Sequence, residues 1–184
     1  AYAKGAGLAL PGAAISYDRF HVVALAIEAM DAVRRQEMQD EPQAVARALQ
    51  AAGPKAKRQL MWGMRRNPET WSDKQWQSMH SLQRSGLKSA RAWRMKMALR
   101  EVYARARRHN DEALARQDLF AWLSWARRSR LAPMQQLART LTAKLDGVVR
   151  GMLDHRSNAF VESMNGLLQQ AKRAARGFRK ARTF

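Results

Sequence analysis

Residues 155–180, HRSNAFVESMNGLLQQAKRAARGFRK, contain a single carboxylate, Glu162, in a strongly basic setting. The basic side chains of this stretch and just beyond it are Arg156, Lys172, Arg173, Arg176, Arg179, Lys180 and Arg182. Cationic side chains attract phosphates, and carboxylate oxygens are ligands that divalent metals prefer. Glu162 is therefore either a metal ligand that acts on a phosphate backbone or an ordinary surface glutamate.

The spacing of residues in this stretch predicts a helix with two distinct faces. Ser157 or Asn158 can cap its start, and the helix would run to about Gly177. The apolar face comprises Val161, Met164, Leu168, Ala171 and Ala175, and the polar face comprises Glu162, Asn165, Gln169, Arg173 and Arg176. A carboxylate in the first turn is favoured by the helix dipole, so Glu162 alone indicates little. The continuous polar face gives further support to the metal-ligand interpretation, because its carboxylate, amides and cations suit a metal and the phosphates beyond it.

A second candidate carboxylate, Asp18, is the last residue of the short stretch AAISYD at residues 13–18. This stretch alternates weakly after a Pro-Gly turn, which predicts a short strand ending at Asp18. Active groups often lie at that end of a strand in open α/β sheets. Asp18 could equally be the N-cap of the helix that follows, and the two roles are compatible. His21 is a further candidate for phosphate or metal-site contact, against a plain surface or capping role.

Most of the remaining sequence has helical periodicity. An apolar stripe of Phe20, Val23, Ile27, Met30 and Val33 predicts a helix to about Gln39. Further helices are predicted over residues 43–52, 55–66, 72–86, 87–108 and 111–130, and Ser72 with Gln75 forms a capping box. The clearest pattern is a predicted buried stripe of Met134, Leu137, Leu141, Leu145, Val148 and Met152.

Composition limits the class of protein. The formal net charge is +19, from 34 basic and 15 acidic residues among 184, which predicts a polyanionic partner, most simply DNA or RNA. The 46% hydrophobic content argues against a disordered basic tail, and no stretch has the length of a membrane-spanning helix. The sequence has no Cys, so it has no disulfide or thiolate zinc site, which fits a reducing cytoplasmic location. No pattern for a small-molecule cofactor is evident.

Three segments resemble the insertion-sequence transposases of the ISL-three family. SYDRFHVVALAIEAMDAVRR resembles the segment around that family's second catalytic Asp, which has an Asp-x-Phe-His pattern followed by a helix. RSNAFVESMNGLLQQAKRAARGFR resembles the segment around the catalytic Glu, and WLSWARRSRLAPMQQLARTL matches the family's middle region. The resemblance covers nearly the whole chain in order, and the three segments together are far more specific than any one of them.

The resemblance implies a reaction and a set of site residues. These enzymes have a ribonuclease-H-like core in which two Asp and one Glu hold two divalent metal ions, usually Mg²⁺, for phosphoryl transfer. Asp18 would be the second carboxylate and Glu162 the third, and both would be catalytic metal ligands. DNA contacts are expected from Asn165, Lys172, Arg173, Arg176 and Arg179, and His21 and Asn158 are additional candidates. By analogy, the complete enzyme is expected to act as a homodimer or larger assembly on transposon ends and target DNA.

The expected fold is mostly α, as an incomplete ribonuclease-H-like α/β core interrupted by a large helical insertion. Residues 1–41 would form part of the core, residues 42–152 the insertion, and residues 153–184 the return to the core with the basic face. In the family the first catalytic Asp lies upstream of the segment matching AYAKG, so we expect a fragment or truncated copy that is inactive alone. The alternative is a non-catalytic basic protein, a degenerate transposase copy, that binds DNA or oligomerises.

The six Trp residues have two interpretations. Exposed Trp side chains can stack on nucleic-acid bases, and Trp122 and Trp125 precede Arg127 and Arg128. Most of the Trp residues lie at helical spacing with Met and Leu, however, so core packing is the expected role.

Overall fold

A computed structural model of the chain describes residues 14–154, 166–167 and 169–171. Over the first of these ranges the helices are α1 (Arg19–Asp40), α2 (Pro42–Ala51), α3 (Ala56–Met61), α4 (Asp73–Arg84), α5 (Lys88–His109), α6 (Glu112–Arg128), α7 (Ala132–Thr142) and α8 (Leu145–Leu153). Short 3₁₀ turns lie at Gly63–Arg65 and Pro68–Thr70. The described residues are therefore mostly helical and contain no strand, which confirms the mostly α expectation.

The chain separates into two compact units, residues 1–153 and residues 154–184. In the first unit, α1 packs against α5 and α7, and α6 packs against the same two helices. The long helices α1 and α5 therefore form the centre of this unit. In the second unit, residues 166–167 and 169–171 are helical and lie within the helix predicted from the sequence.

The strand predicted at residues 13–18 is wrong for its described part. Residues 14–18 are neither strand nor helix, and they lie against α8. The Tyr17 amide donates to the Gly147 carbonyl oxygen at 3.0 Å, and the described residues supply no neighbouring strand. A strand forms only when its backbone groups pair with those of another strand, which sequence alternation alone cannot provide.

The structure shows side-chain contacts at the start of two helices, and one of them confirms a predicted capping box. Ser72 and Gln75 form the predicted capping box at the start of α4, and the Asp111 side chain accepts from the Leu114 amide of α6 at 3.1 Å. Two glycines at positive φ, Gly53 (+87°) and Gly86 (+77°), follow α2 and α4, where a left-handed residue ends a helix at little cost.

The predicted apolar faces are correct in part. On α1 the buried apolar residues are Val22, Ala26, Met30 and Val33, whereas Phe20 is 73% exposed. The buried face is thus rotated from the predicted stripe, because it also contains the polar residues Asp31, Arg34 and Glu37. A period-based assignment, which follows apolar residues only, misses such a face.

The helix predicted over residues 55–66 is shorter than expected, since α3 ends at Met61 and a 3₁₀ turn follows. The stripe from Met134 to Met152 is confirmed as buried except at Leu145, which is half-buried. It belongs to two helices, α7 and α8, separated by a turn at Ala143 and Lys144.

The expected core role of tryptophan is confirmed for Trp71, Trp93 and Trp122, which are buried. The Trp71 and Trp93 rings stack with centroids 5.5 Å apart, and the Trp122 indole donates to the Met95 carbonyl oxygen at 2.8 Å. Trp62 and Trp125 are exposed to 59% and 37%. Within the described residues, no helix is both long and apolar enough to cross a membrane.

Candidate catalytic carboxylates and their surroundings

Asp18 is the N-cap of α1. Its Oδ1 accepts a hydrogen bond from the Phe20 amide at 3.2 Å, so the predicted capping role is confirmed. Among the described residues, Oδ2 accepts no hydrogen bond and forms no ion pair. The half-buried carboxylate therefore has one oxygen fixed by the helix and one available to a ligand, which fits a monodentate metal ligand.

The segment that leads to Asp18 crosses α8 at two glycines four residues apart, Gly147 and Gly151. A Cβ atom at Gly147 would lie 2.7 Å from ring carbons of Tyr17 and 2.9 Å from the Ile15 carbonyl oxygen. A Cβ atom at Gly151 would overlap the Tyr17 carbonyl oxygen and lie 2.7 Å from its carbonyl carbon. The absence of both side chains is thus what allows the backbone before Asp18 to lie on the helix.

Polar contacts from α8 and the turn before it hold the same segment in place. The Arg150 guanidinium donates to the Ile15 carbonyl oxygen at 2.6 Å, and the Lys144 ammonium lies 4.9 Å from the centre of the Tyr17 ring. Together with the Tyr17 backbone hydrogen bond, these contacts determine where α1 starts and hence where Asp18 lies. The spacing of Gly147 and Gly151 is a sequence signal from which this groove could have been predicted.

A buried hydroxyl group lies within the electrostatic range of Asp18. Tyr103 is fully buried, and its hydroxyl has no hydrogen-bond partner among the described residues. Burial raises the pKa of Tyr103 well above its ordinary value, and the negative charge of Asp18 raises it further, against a smaller opposing effect of Arg19. Tyr103 therefore stays neutral at all physiological pH values. A neutral phenol leaves the negative charge of the Asp18 carboxylate unchanged.

The other predicted site residues lie outside the described residues, with one exception. They are Glu162, Asn158, Asn165, Lys172, Arg173, Arg176 and Arg179. The exception, His21, is exposed on the first turn of α1. The described residues contain no group of three or more His, Cys, Asp or Glu side chains that could hold a metal ion. Of the two predicted metal ligands, only Asp18 is therefore placed.

The structure contains a buried charged cluster around Asp31 that no local sequence pattern predicts. The Asp31 carboxylate forms ion pairs with the guanidinium groups of the buried Arg34 at 2.8 Å and of Arg65 at 2.6 Å. The exposed Arg35 forms a third ion pair with it at 3.1 Å. Burial raises the pKa of Asp31, but hydrogen bonds from Arg65 and Arg34 outweigh burial and leave this pKa below its usual value. The cluster joins α1 to the turn after α3, and we assign it to stability because its carboxylate is fully engaged.

A second buried cation is Lys96 on α5, which is 2% exposed. Its ammonium donates to the Met64 carbonyl oxygen at 2.6 Å and lies 5.9 Å from the centre of the Trp93 ring. Burial lowers the pKa of Lys96 to about 8, with a smaller lowering effect from Arg100. This lysine tethers the 3₁₀ turn after α3 to α5.

Comparisons with known proteins find the same kind of protein, a transposase, by a family model and by individual relatives. The model of a family described as "Transposase", the ISL-three DDE family, matches residues 1–184. The transposases for insertion sequence element IS1557 from two Mycobacterium tuberculosis strains, CDC 1551 / Oshkosh and ATCC 25618 / H37Rv, are each 30% identical over 186 residues. The alignment covers 92% of this chain and 40% of each relative, so the chain spans less than half of their length. No solved structure matches the chain.

Proposed function

This chain belongs to the ISL-three family of insertion-sequence transposases, and from that premise we propose that it supplies two of the three carboxylates for metal-dependent strand cleavage and joining. Asp18 is the second carboxylate of the site and Glu162 the third. The observation that carries this proposal is that the family match includes both segments and that Asp18 lies at a fixed point on the structure.

Asp18 and Glu162, with the upstream aspartate that the resemblance implies, would hold two divalent ions such as Mg²⁺. When bound, such ions activate the attacking oxygen and stabilise the leaving oxygen of an in-line phosphoryl transfer. The chain's own contribution is to orient Asp18 through the α1 cap and the Gly147–Gly151 groove, which keeps one carboxylate oxygen free. DNA phosphates would be held by Lys172, Arg173, Arg176 and Arg179, with Asn165, Asn158 and His21 at the edge of the site.

We propose that the core around these carboxylates has the ribonuclease-H-like fold, with residues 1–41 and 153–184 contributing to it and residues 42–152 forming an insertion. Its partners would be the transposon ends and target DNA in a homodimer or larger assembly, within the cytoplasm. A polypeptide of these 184 residues alone would bind DNA without cutting it, because the first aspartate of the family pattern lies upstream of the matched segment.

A second candidate function is DNA binding without catalysis. The net charge of +19 favours it, because attraction between positive charge and DNA phosphates requires no metal site. Cleavage assays separate the two. The chain, joined to the upstream region that the family pattern includes, is incubated with labelled duplexes taken from the DNA flanking its coding sequence. We expect Mg²⁺-dependent nicks that Glu162→Gln abolishes while DNA binding persists. Binding without nicks in the joined protein would instead favour the non-catalytic function.

A further inference from the structure

A pocket of about 500 Å³ lies between α3, the turn that follows it, and the start of α4. Three of its lining residues are the exposed cations Lys55, Arg58 and Arg66, and no acidic residue lines it. None of the three cations forms an ion pair with the described residues. Elsewhere on this unit arginines do pair with acids, as Arg100 does with Glu69 and Arg116 with Asp146, so the pocket carries positive charge that its surroundings do not neutralise.

The pocket also presents an aromatic face. Trp62, at the end of α3, is 59% exposed, and the Arg65 guanidinium lies 5.2 Å from its ring centre. Arg65 is itself held by Asp31, so the indole is fixed from one side by the buried charged cluster. A large apolar side chain that is exposed yet positioned in this way is available to stack on a planar ligand.

One of the residues that line the pocket, Gln59, has a buried side-chain amide. Gln59 is only 2% exposed, and its Nε2 has no hydrogen-bond partner among the described residues. Its Oε1 accepts from Gln75 at 3.4 Å, which leaves the amide nitrogen as a buried donor at the pocket wall. A buried donor without a partner carries a free-energy cost, which a ligand acceptor would remove.

We propose that this pocket binds a single-stranded segment of DNA, with a phosphate on Lys55, Arg58 and Arg66 and an unpaired base on Trp62 and Gln59. A stacked base in a duplex has no free face, so an indole at a concave site selects unpaired nucleotides. The volume suits one nucleotide unit rather than a helix of DNA. The choice of DNA rests on the proposed function, and the site lies on residues that this function does not use.

The test measures binding of the 184-residue chain to a fluorescent thymidine oligonucleotide of about ten nucleotides, by anisotropy at moderate salt. Trp62→Ala is expected to weaken binding about 5- to 150-fold, the range that corresponds to loss of one base stack. The matched control is Trp125→Ala, which removes another exposed indole on α6 and should leave binding unchanged. Melting curves verify that both variants fold, and the exposure of Trp62 predicts an intact core.

Charge and ligand type are tested in parallel. Arg58→Ala should weaken binding and lower its salt dependence, whereas Arg84→Ala, also exposed but outside the pocket, should not. Equal losses for Trp62→Ala and Trp125→Ala, or no loss for either, would overturn the proposal. Competition by inorganic phosphate or free thymidine monophosphate as strong as that of the oligonucleotide would also overturn it, in favour of a small-anion site. These binding measurements do not involve Mg²⁺-dependent cleavage. A negative result for this pocket would therefore leave the proposed catalytic function untouched, and a negative cleavage assay would leave the pocket untouched.

Discussion

At the residue scale, Asp18 caps α1, and we propose that the same side chain also binds a catalytic metal ion. One oxygen caps α1, and the other stays free of protein partners among the described residues. Asparagine is as good an N-cap as aspartate but lacks the charge. Asp18→Asn therefore separates the capping role from the proposed metal-binding role. Stability should be retained, whereas catalysis should be lost.

Among the described glycines, Gly151 is the one at which an added Cβ would lie nearest to another atom, the Tyr17 carbonyl oxygen. A methyl group at Gly151 overlaps the backbone of Tyr17, which cannot move as a side chain can. Gly151→Ala should lower the free energy of unfolding by about 2 kcal/mol, as overpacking does. Urea denaturation measures this loss. The control is Gly166→Ala, a helical glycine with nothing within 4 Å of an added Cβ, which should be neutral or slightly stabilising. Equal effects of the two substitutions would refute the close approach.

Lys96 makes stability depend on pH in an alkaline window. Its pKa is about 8 in the folded chain and near 10.5 in the unfolded chain, so between these values the unfolded state binds more protons. Stability therefore rises with pH through this window relative to a variant without the amine. The difference in free energy of unfolding between the wild type and Lys96→Met should shift by about 2 kcal/mol in favour of the wild type from pH 7 to pH 10. Urea denaturation at several pH values measures the difference, and a constant difference would contradict the depressed pKa.

At the element scale, helices and their caps were predictable because their signals are local. The capping box at Ser72, the helix after Asp111 and the stripe of α7 and α8 all depend on residues within a few turns of each other. The strand predicted before Asp18 does not form over residues 14–18, since strand formation depends on pairing with distant backbone that local alternation does not reveal. The polar part of the buried α1 face was missed for a related reason: Asp31 and Glu37 have partners on other elements, Arg65 and Ser89.

The start of α5 shows such a distant partner. Its N-cap, Leu87, offers no side-chain acceptor, but the Glu37 carboxylate on α1 accepts from the Lys88 and Ser89 amides and from the Ser89 hydroxyl at 2.6 Å. A carboxylate on the first amides of a helix satisfies both the unpaired donors and the helix dipole. A separation of 52 residues between Glu37 and Ser89 hides this cap from any local pattern.

Glu37→Ala should therefore destabilise the chain by about 2 kcal/mol, because it leaves buried amides without an acceptor. The matched control is Glu28→Ala, which removes an exposed glutamate from the same helix and should change stability by less than about 0.5 kcal/mol. Chemical denaturation of both variants checks the prediction. If Glu37→Ala were as stable as Glu28→Ala, the cross-helix cap would have no energetic role.

At the scale of the whole molecule, the charge of +19 predicts DNA binding that depends steeply on salt. Each phosphate contact contributes about 0.9 to the slope of log affinity against log salt on duplex DNA. Replacing Lys172, Arg173, Arg176 and Arg179 together by Ala should reduce this slope by about 3.6. Replacing four scattered exposed arginines, Arg47, Arg84, Arg94 and Arg139, is the matched control in net charge. Equal changes in the two variants would indicate diffuse charge rather than a basic DNA-binding face.

The family of this protein was recognisable from the sequence because its motifs are ordered along the chain, whereas the arrangement of its site was not. Asp18 could be assigned to a helix start by local pattern, but its support by Gly147, Gly151 and Arg150 involves contacts across about 130 residues. Glu162 and the basic residues after it lie outside the described residues, so their roles stay predictions.

The central claim, that Asp18 is a catalytic metal ligand as well as a helix cap, is tested most directly by cleavage kinetics of Asp18→Asn. Mg²⁺-dependent cleavage of the flanking-DNA duplex is measured in the chain joined to its upstream region, beside a melting curve. Asp111→Asn, which changes the N-cap of α6 in the same way, is the control. The account predicts that both variants melt as the wild type does and that only Asp18→Asn loses cleavage. Cleavage by Asp18→Asn at the wild-type rate would show that Asp18 is a cap and nothing more.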